Sequence, residues 1–224
     1  MSQLAIGLPP HPPAYGREDF IVSASNRHAY DMVVRWPHWV EPFMSVVGPR
    51  HAGKSHLAHI WAEQAKARFV PIDQLATHSS QEWLEGHDAL VLEDVEQLHD
   101  EEALFHLLNH VRSEQKWLLL TSQQPLNRLP IALPDLRSRM AAIAFAELQQ
   151  PDDMVMRGIL MKQFADRQIR VSPDIIDFIL RRCERSAQAL ADLIVRLDEQ
   201  AMAQQRAITL PLVREVMQEW STHG

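Results

Sequence analysis

The residues best suited to chemistry in this 224-residue chain lie between Gly48 and Ser55. The segment reads Gly-Pro-Arg-His-Ala-Gly-Lys-Ser, which satisfies the phosphate-loop (P-loop) pattern G-x-x-x-x-G-K-S/T. In such a loop the backbone N–H groups face a phosphate at a helix N-terminus, Lys54 neutralises the β- and γ-phosphates, and the Ser55 hydroxyl can bind Mg²⁺. The motif therefore predicts a binding site for a nucleotide polyphosphate.

A pair of acidic residues follows another apolar run. Ala89 to Leu92 is succeeded directly by Glu93 and Asp94. A P-loop needs an acid at the end of a neighbouring strand to hold the metal and orient water. By itself the segment is explained equally well as a strand ending in solvated acids. Together with the upstream P-loop, it predicts the acidic half of a phosphate site.

Alternating strands and helices must position both groups. The P-loop stands between an apolar run and a helical segment, His56 to Ala67, and a later stretch repeats apolar residues at i, i+3, i+4 and i+7, as one helix face does. Short runs of this kind are typical of strands buried on both faces. The pattern predicts an α/β fold with a parallel sheet between helices. The predicted strands are Phe43 to Val47, Phe69 to Ile72, Ala89 to Leu92, Trp117 to Thr121 and Ala142 to Phe145, and the helix face is Leu104, Leu107, Leu108 and Val111.

Beyond Gln150 and Pro151 the pattern becomes purely helical. Ser172 with Pro173, and Thr209 with Pro211, suit helix starts. Between them Leu190, Leu193, Ile194 and Leu197 form an apolar stripe. We therefore predict an extended tail over 1–14, a nucleotide-binding α/β domain over 15–149 and a helical domain over 150–224.

Composition narrows the function. Lys and Arg total 22 against 29 Asp and Glu, a formal net charge of −7, so broad DNA binding by the surface is not expected. Cys183 is the sole cysteine, and neither a signal peptide nor an apolar stretch of membrane-spanning length is apparent, so we expect a cytoplasmic protein. His106 and His110 have helical zinc-ligand spacing but lack completing ligands, which favours a polar-face pair.

These motifs together resemble the AAA+ ATPase core of the DnaA replication initiators and, among them, the short Hda-type homologues. The resemblance runs from about Phe20 to Trp220 and implies a three-layer core with an all-α lid over the nucleotide, ADP or ATP with Mg²⁺. Four segments carry it: Phe20 to Arg27 resembles the segment beside the base, Gly48 to Leu57 the P-loop, Leu118 to Ser122 the sensor-1 strand, and Leu133 to Arg139 the segment ending in the arginine finger.

The resemblance also assigns roles to single residues. Glu93, with Ser55, is the implied Mg²⁺ ligand, Asp94 the water-orienting acid, and Arg139 the finger that acts on a neighbouring subunit. Glu93, Gln123 and Gln188 depart from the family's Asp, acidic sensor-1 residue and sensor-2 Arg, so we expect hydrolysis by this chain itself to be weak or absent. The implied nucleotide-binding residues are Asn26, Gly48, Pro49, Arg50, His51, Ala52, Gly53, Lys54, Ser55, His56, Gln123 and Gln188.

The N-terminus resembles the motif with which Hda-type proteins dock on the β sliding clamp. Gln3, Leu4, Ile6 and Leu8 provide an amide and three apolar side chains for a hydrophobic groove. A proline-rich spacer, 9–13, follows them. Without the DnaA-like core behind it, this hexapeptide would be interpreted as an ordinary frayed terminus.

The resulting hypothesis is a negative regulator of replication initiation. It docks on the clamp and presents Arg139 to DnaA, so that DnaA hydrolyses its own ATP and becomes inactive. Its chain stops at Gly224, where DnaA continues into a DNA-reading domain, so we expect DNA contact to be indirect or weak; self-association stays open. Two alternatives are a helicase loader of the DnaC type and a clamp-bound scaffold whose nucleotide is structural.

Overall fold

The computed structural model describes residues 15–221 and contains a parallel β-sheet at its centre. The candidate clamp-binding residues Gln3, Leu4, Ile6 and Leu8 lie outside this range. Within it, the sheet has five strands in the order β2-β3-β4-β1-β5, all paired in parallel. The strands are β1 (Phe43–Val47), β2 (Arg68–Val70), β3 (Ala89–Leu92), β4 (Trp117–Ser122) and β5 (Phe145–Glu147). The predicted α/β class with a parallel sheet is confirmed.

Helices cover both faces of this sheet, which explains why its central strands are apolar at every position. β1 and β3 are buried throughout. Along β3, Leu90 and Leu92 join one core with Leu107, whereas Val91 joins the opposite core with Trp61. The helices of this part of the chain are α1 (Arg27–Val34), α2 (Lys54–Ala65), α3 (Ser80–Leu84), α4 (Glu101–Ser113) and α5 (Pro134–Ala142).

Three predicted elements have a boundary that differs from the structure by two or more residues, and the fourth strand extends one residue beyond its prediction, to Ser122. The last strand was expected over Ala142 to Phe145, but Ala142 ends α5 and the strand is Phe145–Glu147. β5 is an edge strand paired only with β1, and it buries Ala146 while its two neighbours are exposed, so it carries no continuous apolar signal. The second strand ends at Val70, because Pro71 has no N–H for the ladder. The P-loop helix is Lys54–Ala65 and not His56 to Ala67, because Lys66 is left-handed.

The C-terminal helices surround a separate core. They are α6 (Asp153–Asp166), α7 (Pro173–Leu180), α8 (Ala187–Ala203) and α9 (Leu210–Ser221). The predicted stripe of Leu190, Leu193, Ile194 and Leu197 is completely buried there. Ser172 precedes α7 as predicted but makes no side-chain capping hydrogen bond. No helix between residues 15 and 221 is long and apolar enough to cross a membrane.

A short N-terminal segment connects the sheet domain to these helices. Asp19 Oδ1 lies 2.6 Å from the Lys162 ammonium nitrogen on α6. Two positions away, Ile21 packs so closely on the same helix that a Cβ added at Gly158 would lie 2.3 Å from its Cδ1 atom. The absence of a side chain at residue 158 therefore permits this approach.

Candidate nucleotide site

The P-loop connects the end of β1 to the start of α2. His51 and Gly53 have left-handed backbones, with φ of 62° and 97°, which turn the loop back over the helix N-terminus. Gly48 passes so close to the segment that follows β5 that a Cβ added to it would lie 2.6 Å from the Leu148 carbonyl oxygen. Its N–H donates to the Ser122 carbonyl at 3.1 Å. A loop of this kind at a helix N-terminus can present successive backbone N–H groups to an anion.

Lys54 places its charge inside this loop. Its ammonium group donates to the carbonyl oxygens of Gly48 and Pro49 at 2.9 and 3.0 Å, and the residue is 8% exposed. Burial lowers its pKa, while the carboxylates of Glu96, Asp94 and Glu93, in that order, act to raise it. Lys54 is thus a buried cation bordered by acids, suited to bind a phosphate.

The acids lie at the carboxyl end of β3. Asp94 has a left-handed backbone, with φ of 51°, and its N–H donates to the Thr121 hydroxyl at 3.0 Å. Glu93 and Glu96 each have a buried carboxylate oxygen, Oε1, without a hydrogen-bond partner among the described residues. Glu96 Oε2 accepts the N–H of Gln123 at 3.3 Å.

Glu96 was not recognised in the sequence. It lies in the 3₁₀ turn Val95–Gln97 that follows Asp94 directly. The one feature of the sequence that could have indicated it is its spacing, three residues after Glu93. Residues with that spacing lie on the same side of a 3₁₀ turn. The sequence alone does not reveal the turn.

The donors present fit a magnesium ion that also binds phosphate. Within residues 15–221, no group of three or more His, Cys, Asp or Glu side chains could hold a metal alone. Mg²⁺ commonly takes only one or two carboxylates besides phosphate and water oxygens. Ser55, in the first turn of α2, and the unpartnered oxygen of Glu93 supply such donors. Of the alternative zinc pair, His110 shares a hydrogen bond with the Ser80 hydroxyl.

Two further candidate residues shape the segment next to the P-loop. Asn26 is buried, accepts the Ser23 N–H at 2.8 Å and donates to the Ile21 carbonyl at 2.9 Å. His56, in the first turn of α2, has its Nε2 atom 2.9 Å from the Gly16 carbonyl. Both amide atoms of Asn26 are therefore engaged in holding the loop.

Both candidate glutamines are exposed to solvent. Gln123 is exposed directly after β4. Gln188 is exposed on the first turn of α8 and donates to Asp192 at 2.8 Å along the same helix. Neither side chain supplies a positive charge to the nucleotide site.

Arg139 lies away from the P-loop of its own chain. It is exposed on α5, with its guanidinium carbon 4.9 Å from the centre of the Phe105 ring. It borders a pocket with Phe43, at the start of β1, whereas Gly48 follows the end of that strand. Five strand residues span about 13 Å between the first and last Cα atoms. The structure thus brings Lys54, Glu93, Asp94 and Glu96 together and leaves Arg139 near the opposite strand end.

The chain is similar in sequence to known replication proteins. A family model described as "Hda, lid domain" matches residues 153–217. The chain is 25% identical over 237 residues to the chromosomal replication initiator protein DnaA of Cutibacterium acnes, covering 95% of this chain and 47% of that protein. Residues 153–217 thus match the Hda lid domain, and the chain as a whole is similar in sequence to DnaA. It spans about half the length of that DnaA relative.

Solved structures agree with this DnaA-like fold. Domain III of Thermotoga maritima DnaA has a TM-score of 0.77 at 19% identity, covering 93% of this chain and 97% of that one. AMPPCP-bound DnaA from Aquifex aeolicus has a TM-score of 0.66 at 22% identity, covering 82% and 64%. The predicted AAA+ core with a helical lid is confirmed. The roles of individual site residues stay predictions.

Proposed function

We propose that this chain is a negative regulator of replication initiation that stimulates ATP hydrolysis by DnaA through Arg139. The observation that carries the proposal is the location of Arg139, exposed near the strand end opposite its own P-loop, in a chain with an Hda-type lid. A guanidinium group so placed is available to a neighbouring protein. Supplied in trans, such a group stabilises transition-state charge and is worth roughly 10³ to 10⁵ in turnover number.

Nucleotide binding is the second part of the proposal. Binding of ADP or ATP is supported by the left-handed backbones of His51 and Gly53 in the P-loop, by buried Lys54 and by the acids after β3. The similar DnaA of Aquifex aeolicus binds AMPPCP. Ser55 and Glu93 would hold Mg²⁺, which neutralises phosphate charge when bound. Gln188 pairs with Asp192 and supplies no cation, so we expect little hydrolysis by this chain.

Docking on the sliding clamp is the third part. It rests on the sequence of Gln3, Leu4, Ile6 and Leu8, which lie outside the described residues. An extended apolar peptide of this kind fits a hydrophobic groove. Docking would concentrate the chain where replication has begun, and the finger would then act on DnaA present there.

The decisive experiment measures ATP hydrolysis by ATP-bound DnaA mixed with DNA-loaded clamp and the full chain. Arg139→Ala should abolish the stimulation, while Arg137→Ala, exposed on the same helix, should retain it. Full stimulation by Arg139→Ala, or none by the wild type, would refute the finger proposal. Gln3→Ala should remove the clamp's contribution and leave nucleotide affinity unchanged.

The scaffold alternative is favoured by one observation: Gln188 has a neutral amide, which donates to Asp192 and supplies no cation to the nucleotide site. It predicts that stimulation of DnaA is independent of Arg139 and of nucleotide concentration. A titration of ADP in the same assay separates the two. Lys54→Ala, which removes the buried cation, should raise the ADP concentration needed for half-maximal stimulation if nucleotide orders the core and lid.

A further inference from the structure

Two arginines of the helical lid share one aromatic ring. The guanidinium carbon of Arg182, in the segment after α7, lies 4.0 Å from the centre of the Phe178 ring. That of Arg214, on α9, lies 5.4 Å from the same centre. Both arginines are exposed, whereas Phe178 is buried beneath them. Because a guanidinium group is attracted to an aromatic face, the ring holds two positive charges close together at the surface.

The protein does not neutralise these two charges. Other exposed arginines of the lid form ion pairs with acids: Arg157 with Asp177, Arg185 with Asp153 and Arg206 with Glu215. Among the described residues, neither Arg182 nor Arg214 has an ion-pair partner. A guanidinium group stays charged at physiological pH and carries five N–H donors, so both side chains have donors available to an anion.

The lid is also the less acidic part of the chain. Residues 150–224 contain ten Lys and Arg against eleven Asp and Glu, while the first 149 residues contain twelve against eighteen. A polyanion is therefore repelled less by the lid than by the sheet domain. A local contact on the lid agrees with the absence of broad DNA binding that the net charge of −7 predicts.

The chemistry of this surface suits a phosphate backbone. Guanidinium groups bind phosphate oxygens through paired N–H donors. Both guanidinium carbons lie within 5.4 Å of one ring centre, so they can contact one phosphate or adjacent phosphates of a strand. Since Phe178 is buried, the ring provides no exposed apolar anchor. Protein partners are normally held by such anchors, whereas a nucleic acid backbone can be bound through charge alone.

We propose that Arg182 and Arg214 form a contact site for the phosphate backbone of duplex DNA. The contact is independent of base sequence, because phosphates carry no sequence information directly. It goes beyond the proposed regulation of DnaA, since it requires neither Arg139 nor a bound nucleotide. Two phosphate contacts bind weakly by themselves, but they add to the affinity of a chain that another site already holds near DNA.

The test measures binding of the full chain to a fluorescein-labelled duplex by fluorescence anisotropy, without clamp, DnaA or nucleotide. Neutralising two phosphates predicts a slope of about −1.8 for log affinity against log salt concentration, a loss of roughly 60-fold between about 20 and 200 mM KCl. Arg182→Gln combined with Arg214→Gln should remove most of this slope and lower the affinity in about 20 mM KCl at least tenfold.

Two matched double variants separate the site from net charge and from packing. Arg35→Gln with Arg137→Gln removes the same two charges from exposed positions of the sheet domain and should retain the slope. Arg182→Lys with Arg214→Lys keeps both charges while weakening the stacking on Phe178, so it should also retain most of the slope. A purely structural role of the two arginines predicts loss of stability without a change in salt dependence.

Equal slopes in the two double glutamine variants would overturn the inference, as would absence of duplex binding by the wild type in about 20 mM KCl. Tighter binding of a polyglutamate peptide than of the duplex, lost in the same variant, would assign the surface to an acidic protein and overturn the assignment to DNA. If circular dichroism shows that the double glutamine variant of Arg182 and Arg214 is unfolded, Arg214→Gln alone should lower the slope by about one. All these outcomes are independent of whether the chain stimulates DnaA.

Discussion

Glu101 on the first turn of α4 provides the sharpest test of how the chain positions its candidate arginine finger. Its Oε1 atom accepts the N–H of Ala132 at 2.9 Å, and its Oε2 atom accepts the N–H of Leu133 at 2.6 Å. Leu133 is the N-cap residue of α5, the helix that carries Arg139, and its own side chain makes no capping hydrogen bond. Glu101 therefore caps α5 from another helix.

Glu101→Gln should lower the free energy of unfolding by about 2 kcal/mol. Hydrogen bonds to a charged group contribute about 1.5–3 kcal/mol each, against about 0.5–1.5 kcal/mol for a neutral acceptor. The amide retains one acceptor oxygen and turns its NH₂ group towards the other N–H donor. Glu101 is partly exposed, so water can replace part of the lost hydrogen bonding. The expected loss of stability is therefore near the lower end of the range that these energies give.

Glu102→Gln is the matched control. Glu102 is exposed in the same first turn and loses the same favourable interaction with the helix dipole, worth about 0.3–1 kcal/mol. Urea unfolding followed by tryptophan fluorescence measures both variants. If the free energies of unfolding of the two variants differ by less than about 0.5 kcal/mol, the hydrogen bonds from Glu101 to the start of α5 contribute little to stability. Glu101→Gln should also stimulate DnaA less than Glu102→Gln at equal nucleotide occupancy.

Three other predictions concern the segments that surround the site. Burial lowers the pKa of His56, so between that lowered pKa and about 6.5 the native state binds fewer protons than the unfolded state. The free energy of unfolding should therefore fall as the pH drops through this interval. His56→Gln should flatten this part of a curve of stability against pH. Gly158→Ala should destabilise the contact between α6 and the N-terminal segment by about 1 kcal/mol, since its Cβ would overlap Ile21 Cδ1; combining it with Ile21→Val should recover most of the loss in a urea-unfolding double-mutant cycle. Phe105→Leu removes the ring face below Arg139 and should reduce stimulation of DnaA about two- to fivefold, with ADP affinity unchanged by calorimetry.

The sequence was sufficient for features that depend on neighbours along the chain. The spacing of Gly48, Gly53 and Lys54 predicted the P-loop, and β1 and β3 match the predicted apolar runs residue for residue. The stripe from Leu190 to Leu197 is buried as predicted. Local periodicity encodes such elements because burial on one or both faces selects apolar residues at a fixed interval.

Features that depend on distant parts of the chain required the tertiary structure. β5 was misplaced because an edge strand buries only alternate residues, and its partner β1 lies about a hundred positions earlier. Glu96 acquires its position from a hydrogen bond to Gln123, which no pattern within its own segment specifies. Arg139 could be named from its motif, but its separation from Gly48 follows from which end of β1 each approaches. The sequence thus determined which residues are candidates for phosphate binding, and the packing of the strands decided which charges surround them, because electrostatic interactions depend on distance in space.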